Sequence, residues 1–240
     1  ESVLVAFKSA TADDPGVVPK IIGVTPDQKR LYFFAYPEFS EMVKDGVSLG
    51  WVEIDNADTT VIPRSDMSLL PFEGNVSIMK NDPKKVAVTA GFGKYIGENK
   101  KVGIFDTETL QFTPIDDNDN VSAYPDISPS GKDILFAGVS YNADNKNKFT
   151  GTRIYSAKIQ NKEVKALTPE SEYSDYSPIF YNNGKSVLFT RQASDLSLSL
   201  WRMKSLSQEP EMLADNIKAL TNYYEYGYYN FGKIIDTYSK

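Results

Sequence analysis

The feature that most restricts this chain is a repeat of about fifty residues. Tyr124-Pro-Asp-Ile-Ser-Pro-Ser-Gly-Lys132, Ser177-Pro-Ile-Phe-Tyr-Asn-Asn-Gly-Lys185 and Glu225-Tyr-Gly-Tyr-Tyr-Asn-Phe-Gly-Lys233 align directly. Each runs into a short apolar stretch: Ile134-Leu-Phe-Ala, Val187-Leu-Phe-Thr and Ile234-Ile-Asp-Thr. Two weaker copies stand upstream, Val24-Thr-Pro-Asp-Gln-Lys29 before Leu31-Tyr-Phe-Phe and Lys80-Asn-Asp-Pro-Lys84 before Val86-Ala-Val-Thr. The anchoring residues Lys29, Lys84, Lys132, Lys185 and Lys233 are spaced 55, 48, 53 and 48 apart. A period of this length across a whole chain points to a solenoid, an array or a propeller.

Each unit reads as strand, tight turn, strand. Asn183-Gly184 is a strong hairpin signal for a type I′ turn, and Ser130-Gly131 and Phe231-Gly232 are weaker forms of it. Gln28 and Pro83 stand where the other units have the turn glycine. The run after the turn is apolar on both faces, as in a strand packed between neighbouring sheets. A third strand carries a large side chain at Trp51, Ile104, Tyr155 and Trp201. A short fourth follows at Thr59 to Pro63, Leu110 to Ile115, Val164 to Thr168 and Glu211 to Leu213. Four antiparallel strands per unit, repeated radially, describe an all-β fold, a β-propeller of four-stranded antiparallel blades occupying residues 1–240 as one domain. The five anchors predict five blades, with a six-bladed ring or a propeller fragment as the alternative. From Lys233 through the termini to Lys29 there are only about 36 residues, enough for a three-stranded blade closed by Ser2 to Ser9.

The pattern Pro-x-x-Ser-Pro-x-Gly-Lys-x-Ile-x-Phe, an aromatic third strand and the ending Leu167-Thr168 resemble the TolB-like propeller repeat. Related blades occur in the propellers of prolyl-oligopeptidase-type peptidases. The resemblance implies an extracytoplasmic protein, whether periplasmic, secreted or cell-surface, that binds a protein or peptide partner. Propellers also host carbohydrate-active sites built on Asp or Glu pairs, so glycoside hydrolysis or glycan binding is the competing reading. A propeller belonging to a larger peptidase or envelope protein is a third.

Composition closes several routes. The sequence holds neither Cys nor His, which excludes thiolate nucleophiles, Cys-ligated zinc and a Ser-His-Asp triad within the chain. Its 26 basic against 32 acidic residues leave a net charge of −6, which argues against nucleic acid as the main partner. The longest unbroken apolar run is the six residues Leu31 to Tyr36, far short of the roughly 20 a membrane-spanning helix needs. Glu1 stands in place of Met, so removal of a leader or of an upstream region is expected. No cofactor is expected.

Local motifs add little chemistry. Gly46-Val-Ser48-Leu-Gly50 has the letters of a nucleophile elbow, but it leads into a strand and has no histidine base. Gly91 to Gly97 lacks phosphate-loop spacing and reads as a solvent loop. Asp116 to Asn120 reads as an exposed acidic turn: an EF-hand would need Gly at Val121 and Glu at Ile127. No metal site is expected. The tyrosine-rich stretch Asn222 to Phe231 is the departure from the repeat that most resembles a contact surface. Repeat register places its residues 222–226, with Ser122 to Tyr124 and Tyr173 to Tyr176, in the connection entering the innermost strand at one mouth of the central channel. The expected binding residues are Tyr124, Asp175, Tyr176, Tyr223, Tyr224 and Glu225, with inter-blade packing as the competing role for the tyrosines.

Overall fold

The computed structural model describes residues 6–7, 16–36, 48–62, 76–91, 100–116, 120–140 and 151–217. Among them the chain is all β, in four antiparallel sheets of four strands. Blade 1 comprises β1 (Val18–Val24), β2 (Arg30–Tyr36), β3 (Ser48–Glu53) and β4 (Thr59–Val61). Blade 2 comprises β5 (Val76–Ile78), β6 (Lys85–Ala90), β7 (Lys101–Asp106) and β8 (Gln111–Pro114). Blade 3 comprises β9 (Asn120–Ile127), β10 (Asp133–Ser140), β11 (Arg153–Lys158) and β12 (Val164–Ala166). Blade 4 comprises β13 (Ser174–Tyr181), β14 (Ser186–Gln192), β15 (Leu198–Met203) and β16 (Glu211–Ala214). Strands within each sheet lie in chain order, as short antiparallel connections require. Described residues supply four blades; Lys233, the anchor of the expected fifth, lies outside them, as does Ser2 to Ser9 apart from Ala6 and Phe7.

Blade faces follow the pleat. Second-strand positions two and four residues after the anchoring lysine pack towards the preceding blade, and the position between them towards the following one. Thus Tyr32 of blade 1 shares a cluster with Val86 and Val88 of blade 2. Ala87 of blade 2 shares one with Ile134 and Phe136 of blade 3. Leu135 of blade 3 shares one with Val187 and Phe189 of blade 4. Both faces of β6 and β10 are apolar because each face is buried against a different neighbouring blade.

The turns refine the sequence reading. The expected two-residue type I′ turns are four-residue loops: in blades 1 and 3 a side-chain hydroxyl at the loop entrance closes the ring, and in blade 4 Gly184 N–H donates to Tyr181 O at 3.1 Å. Thr25 N–H donates to Arg30 O at 2.8 Å and Ser128 N–H to Asp133 O at 2.8 Å. Thr25 Oγ1 accepts the N–H of Arg30 (3.0 Å), and Ser128 Oγ that of Asp133 (3.1 Å). The third loop position is left-handed, with φ of 68° at Gly131 and 59° at Gln28. At the corresponding position Gly184 has φ 79°, and Asn182 and Asn183 are also positive at 51° and 55°. A residue with a Cβ is strained there. Gln28→Gly should therefore stabilise the fold by about 0.5–1 kcal/mol, roughly 1–4 °C in a thermal melt; an unchanged or lower Tm would contradict the shared turn geometry.

A second correction concerns the inner strands. Ser122 to Tyr124 and Asp175 to Tyr176 lie inside β9 and β13, not in the connection leading to them. The strands continue through the Tyr124-Pro125 and Ser177-Pro178 pairs by a bulge, where two residues oppose Phe136 and Phe189 respectively. Tyr124 (φ 59°) and Ser177 (φ 47°) take the left-handed conformation, which removes the proline nitrogen from the ladder it could not join. Asp116, expected on an exposed turn, is buried beside the interface of blades 2 and 3, while residues 117–119 lie outside the description. Ser48 is buried in β3, an environment unlike a nucleophile elbow.

Candidate functional site

The turns bearing Gly131 and Gly184 close one end of their hairpins. The opposite end gathers the beginnings of the first and third strands and the end of the second. There the blades are joined by backbone: Ser122 N–H donates to Lys100 O at 3.0 Å and Asp175 N–H to Thr152 O at 3.0 Å. Ser122 and Asp175 thus hold the same place in blades 3 and 4. Their cross-strand partners correspond as well, since Ser122 pairs with Gly138 and Asp175 with Arg191.

Blade 4 departs from the repeat at this pair. Where blade 3 has Ser122 and Gly138, blade 4 places a carboxylate and a guanidinium. Arg191 Nε and Nη2 donate to the two oxygens of Asp175 at 2.7 and 3.0 Å. The side chains are 12% and 1% exposed respectively. The Arg191 guanidinium carbon lies 4.3 Å from the ring centre of Trp201, 5.3 Å from that of Tyr173 and 5.6 Å from that of Phe189. Trp201 Nε1 is held by Ser199 Oγ at 2.8 Å, and Thr152 Oγ1 donates to Asp175 O at 2.6 Å. In blade 3 the corresponding ring, Tyr155, lies where a Cβ on Gly138 would approach within 3.1 Å. The exchange of glycine for arginine is what sets a cation against the third-strand ring.

The same end of the blade carries solvent-facing apolar groups. Tyr173 is 37% exposed and Leu196, in the β14–β15 turn at the same end, 72%. The arrangement sets an exposed aromatic ring against a cation held by the buried Asp175 carboxylate. Arg153 repeats part of this in blade 3, with Nε on Thr168 O at 2.9 Å and its guanidinium 5.6 Å from the Tyr155 ring centre.

The sequence-predicted residues take the following places. Tyr124 is 8% exposed in the core between blades 3 and 4. Tyr176 packs on that core, edge to face with Tyr124 at 6.0 Å and 78°. Asp175 lies beneath Arg191, and the structure thus brings Tyr124, Asp175 and Tyr176 together across one blade interface. Tyr223, Tyr224 and Glu225 lie outside the described residues. Sequence reasoning missed Arg191, Trp201 and the exposure of Tyr173. The available signal was Arg191 standing six residues after Lys185, where Gly138 stands six after Lys132.

Burial also sets the tyrosine chemistry. It pushes the phenols of Tyr176 and Tyr32 above their ordinary value of 10.0, and Tyr32 Oη donates to Pro83 O at 2.7 Å. Phenols harder to ionise in the folded state stabilise it fully below the unfolded value, and that contribution fades as pH rises past it. Alkaline titration followed at 295 nm should show these two ionising late, with Tm falling above about pH 10; early, reversible ionisation of all tyrosines would contradict their burial.

Among the described residues no group of three or more His, Cys, Asp or Glu side chains is arranged to hold a metal. No helix among them is long and apolar enough to cross a membrane.

No protein-family model matches the sequence, and no curated protein matches it. Solved structures do. A TolB-type protein of Agrobacterium tumefaciens superimposes with a TM-score of 0.60 at 17% identity, over 80% of this chain and 64% of that one. TolB of Acinetobacter baumannii gives 0.54 at 16% identity, over 82% and 44%. An oligogalacturonate lyase in complex with manganese gives 0.58 at 13% identity, over 87% and 56%. The chain thus spans less than two thirds of each of these proteins, and the likeness is one of fold.

Proposed function

From a TolB-like β-propeller fold, we infer that the chain is a non-catalytic, extracytoplasmic binding module that takes a protein or peptide at the end of the blades bearing Tyr173 and Arg191. The observation that carries this reading is the break in the repeat at Asp175 and Arg191. A blade needs only Ser122 and Gly138 at that place, and an ion pair with the exposed Tyr173 ring against its cation adds surface chemistry that packing does not demand. Tyr, Trp and Arg are the residues on which protein interfaces concentrate their affinity. Tyr223, Tyr224 and Glu225 belong, by their distance from Lys233, to the same end of the next unit, and are proposed as part of the same surface. Tyr124 and Tyr176 support it from within, and Asp175 fixes the cation. The extracytoplasmic setting rests on the TolB-like resemblance.

The carbohydrate-active alternative calls for a free pair of carboxylates about 5–9.5 Å apart. The two best-held carboxylates on the inner strands, Asp126 and Asp175, are committed to Ser77 and Phe180 and to Arg191. Fold alone does not choose, since a lyase shares it.

The test is selection of peptides on the intact chain from a displayed library, followed by affinity measurement. Tyr173→Ala should weaken the selected peptides by about 1–3 kcal/mol, roughly 5- to 150-fold, while Tm stays within about 2 °C. Equal affinity for the variant, or turnover of an oligosaccharide panel by the wild-type chain, would refute the reading.

A further inference from the structure

Arg153 is the exception among the described arginines. Arg30 is paired with Glu53, Arg191 with Asp175 and Arg202 with Glu211. Arg153 has no carboxylate partner among the described residues, and its Nε donates instead to the backbone oxygen of Thr168 at 2.9 Å.

The repeat explains how this cation comes to stand alone. In the row that ends the ladders near Tyr173, the first three strands of blade 4 carry Asp175, Arg191 and Ser199. The same row of blade 3 carries Ser122, Gly138 and Arg153. Each row sets one guanidinium against the ring of its third strand, Arg191 at 4.3 Å from the centre of Trp201 and Arg153 at 5.6 Å from that of Tyr155. In blade 4 the second strand supplies the cation and the inner strand its carboxylate. In blade 3 the third strand supplies the cation, and Ser122 stands where the carboxylate would be. Ser122 is buried, with its hydroxyl accepting Val102 N–H at 2.8 Å, and it carries no charge to offset the guanidinium.

The group is also held in place. Tyr155 stacks on Phe136 with ring centres 5.5 Å apart and planes 12° from parallel, and Phe136 is buried in the core. Thr168 is itself buried, its Oγ1 accepting Ile154 N–H at 3.0 Å. The contact with Thr168 spends Nε and fixes the guanidinium plane, leaving the Nη1–Nη2 edge, a pair of donors matched to a carboxylate. Arg153 is half-buried, so a charge meeting it there is screened less than at the open surface. The adjacent Thr152 is bonded to Asp175, which puts both cations at one end of neighbouring blades. Packed sheets lie about 10 Å apart, about three residues of extended chain.

We propose that Arg153 is a carboxylate-binding subsite, taking an acidic side chain or the C-terminal carboxylate of the partner. That the carboxylate belongs to a peptide rests on the binding reading above; the subsite rests on its own geometry.

The test uses the full chain and begins with acetate. The Nε–H of Arg153, held on Thr168 O, should give a resolved NMR signal, assigned by its loss in Arg153→Lys. Acetate at constant ionic strength should shift that signal saturably and acetamide should not, while the Nε–H signals of the three paired arginines stay in place. No saturable shift, or equal shifts at all four, would overturn the proposal. Peptides selected as described above then separate the two sources. For those that depend on Tyr173, either amidation of the C-terminus or exchange of Asp and Glu for Asn and Gln should weaken binding by roughly 10-fold. Whichever change does so names the source, and it should have no effect in Arg153→Gln. Tyr173-dependent peptides indifferent to both changes would overturn the subsite and leave the binding reading standing. Peptides indifferent to Tyr173 would remove the binding reading, and the acetate titration then decides the subsite by itself.

Discussion

Arg191→Ala is expected to lower the unfolding free energy by about 3–5 kcal/mol, the cost of leaving a buried carboxylate without its cation. Asp175 is 1% exposed with both oxygens on Arg191, so water cannot replace what the substitution removes. The guanidinium also packs on the Trp201 and Tyr173 rings, and its loss removes those contacts. Urea denaturation would measure the effect. The double variant Asp175→Ser/Arg191→Gly rebuilds the Ser122–Gly138 pair of blade 3 and should recover to within about 2 kcal/mol of wild type, because exchanging a whole buried pair for a compatible neutral one is often nearly neutral. It should nevertheless lose peptide binding. A stable Arg191→Ala variant would mean that the carboxylate is solvated, contrary to the geometry.

Asp126→Ala should cost about 2–4 kcal/mol. Asp126 lies on β9 of blade 3 and accepts from Ser77 Oγ of blade 2 at 3.0 Å and from Phe180 N–H of blade 4 at 2.7 Å. Ser77 Oγ in turn accepts Ile127 N–H at 3.0 Å. One carboxylate therefore ties three inner strands together through charge-assisted hydrogen bonds, each worth roughly 1.5–3 kcal/mol where the group is shielded. Phe180 N–H is left unmet in the alanine variant. Asp126→Asn keeps the shape and one acceptor and should lose about half as much. Equal stability of the alanine variant and wild type would show that the blades are held by apolar packing alone.

The architecture was legible because the repeat carries it. The anchors predict four strands per blade, and Trp51, Ile104, Tyr155 and Trp201 fall on the third strand of each. Even the anomalous Gln28 keeps its place, adopting the φ of the glycine it replaces. Where the reading slipped, a short-range signal was taken at face value. Asn183-Gly184 suggested a two-residue turn, but Tyr181 pairs with Ser186 across a four-residue loop in which Asn182, Asn183 and Gly184 all take positive φ. Repeat register put Ser122 to Tyr124 and Tyr173 to Tyr176 ahead of the inner strands, but bulges at Tyr124-Pro125 and Ser177-Pro178 carry those strands through. The site was less legible. Tyr124 and Tyr176 stood out as tyrosines, yet their rings meet each other between blades. Arg191 did not stand out, because its role depends on which cross-strand neighbour and which ring it faces, and neither follows from spacing alone.

The central claim is that the end of the blades bearing Tyr173 receives the partner. Hydrogen exchange of the full chain with and without a selected peptide tests it most directly. The account predicts slowed exchange in residues 168–176 and 191–199, and none in the turns 128–132 and 182–185. Protection confined to those turns would place the partner on the opposite face and contradict the account.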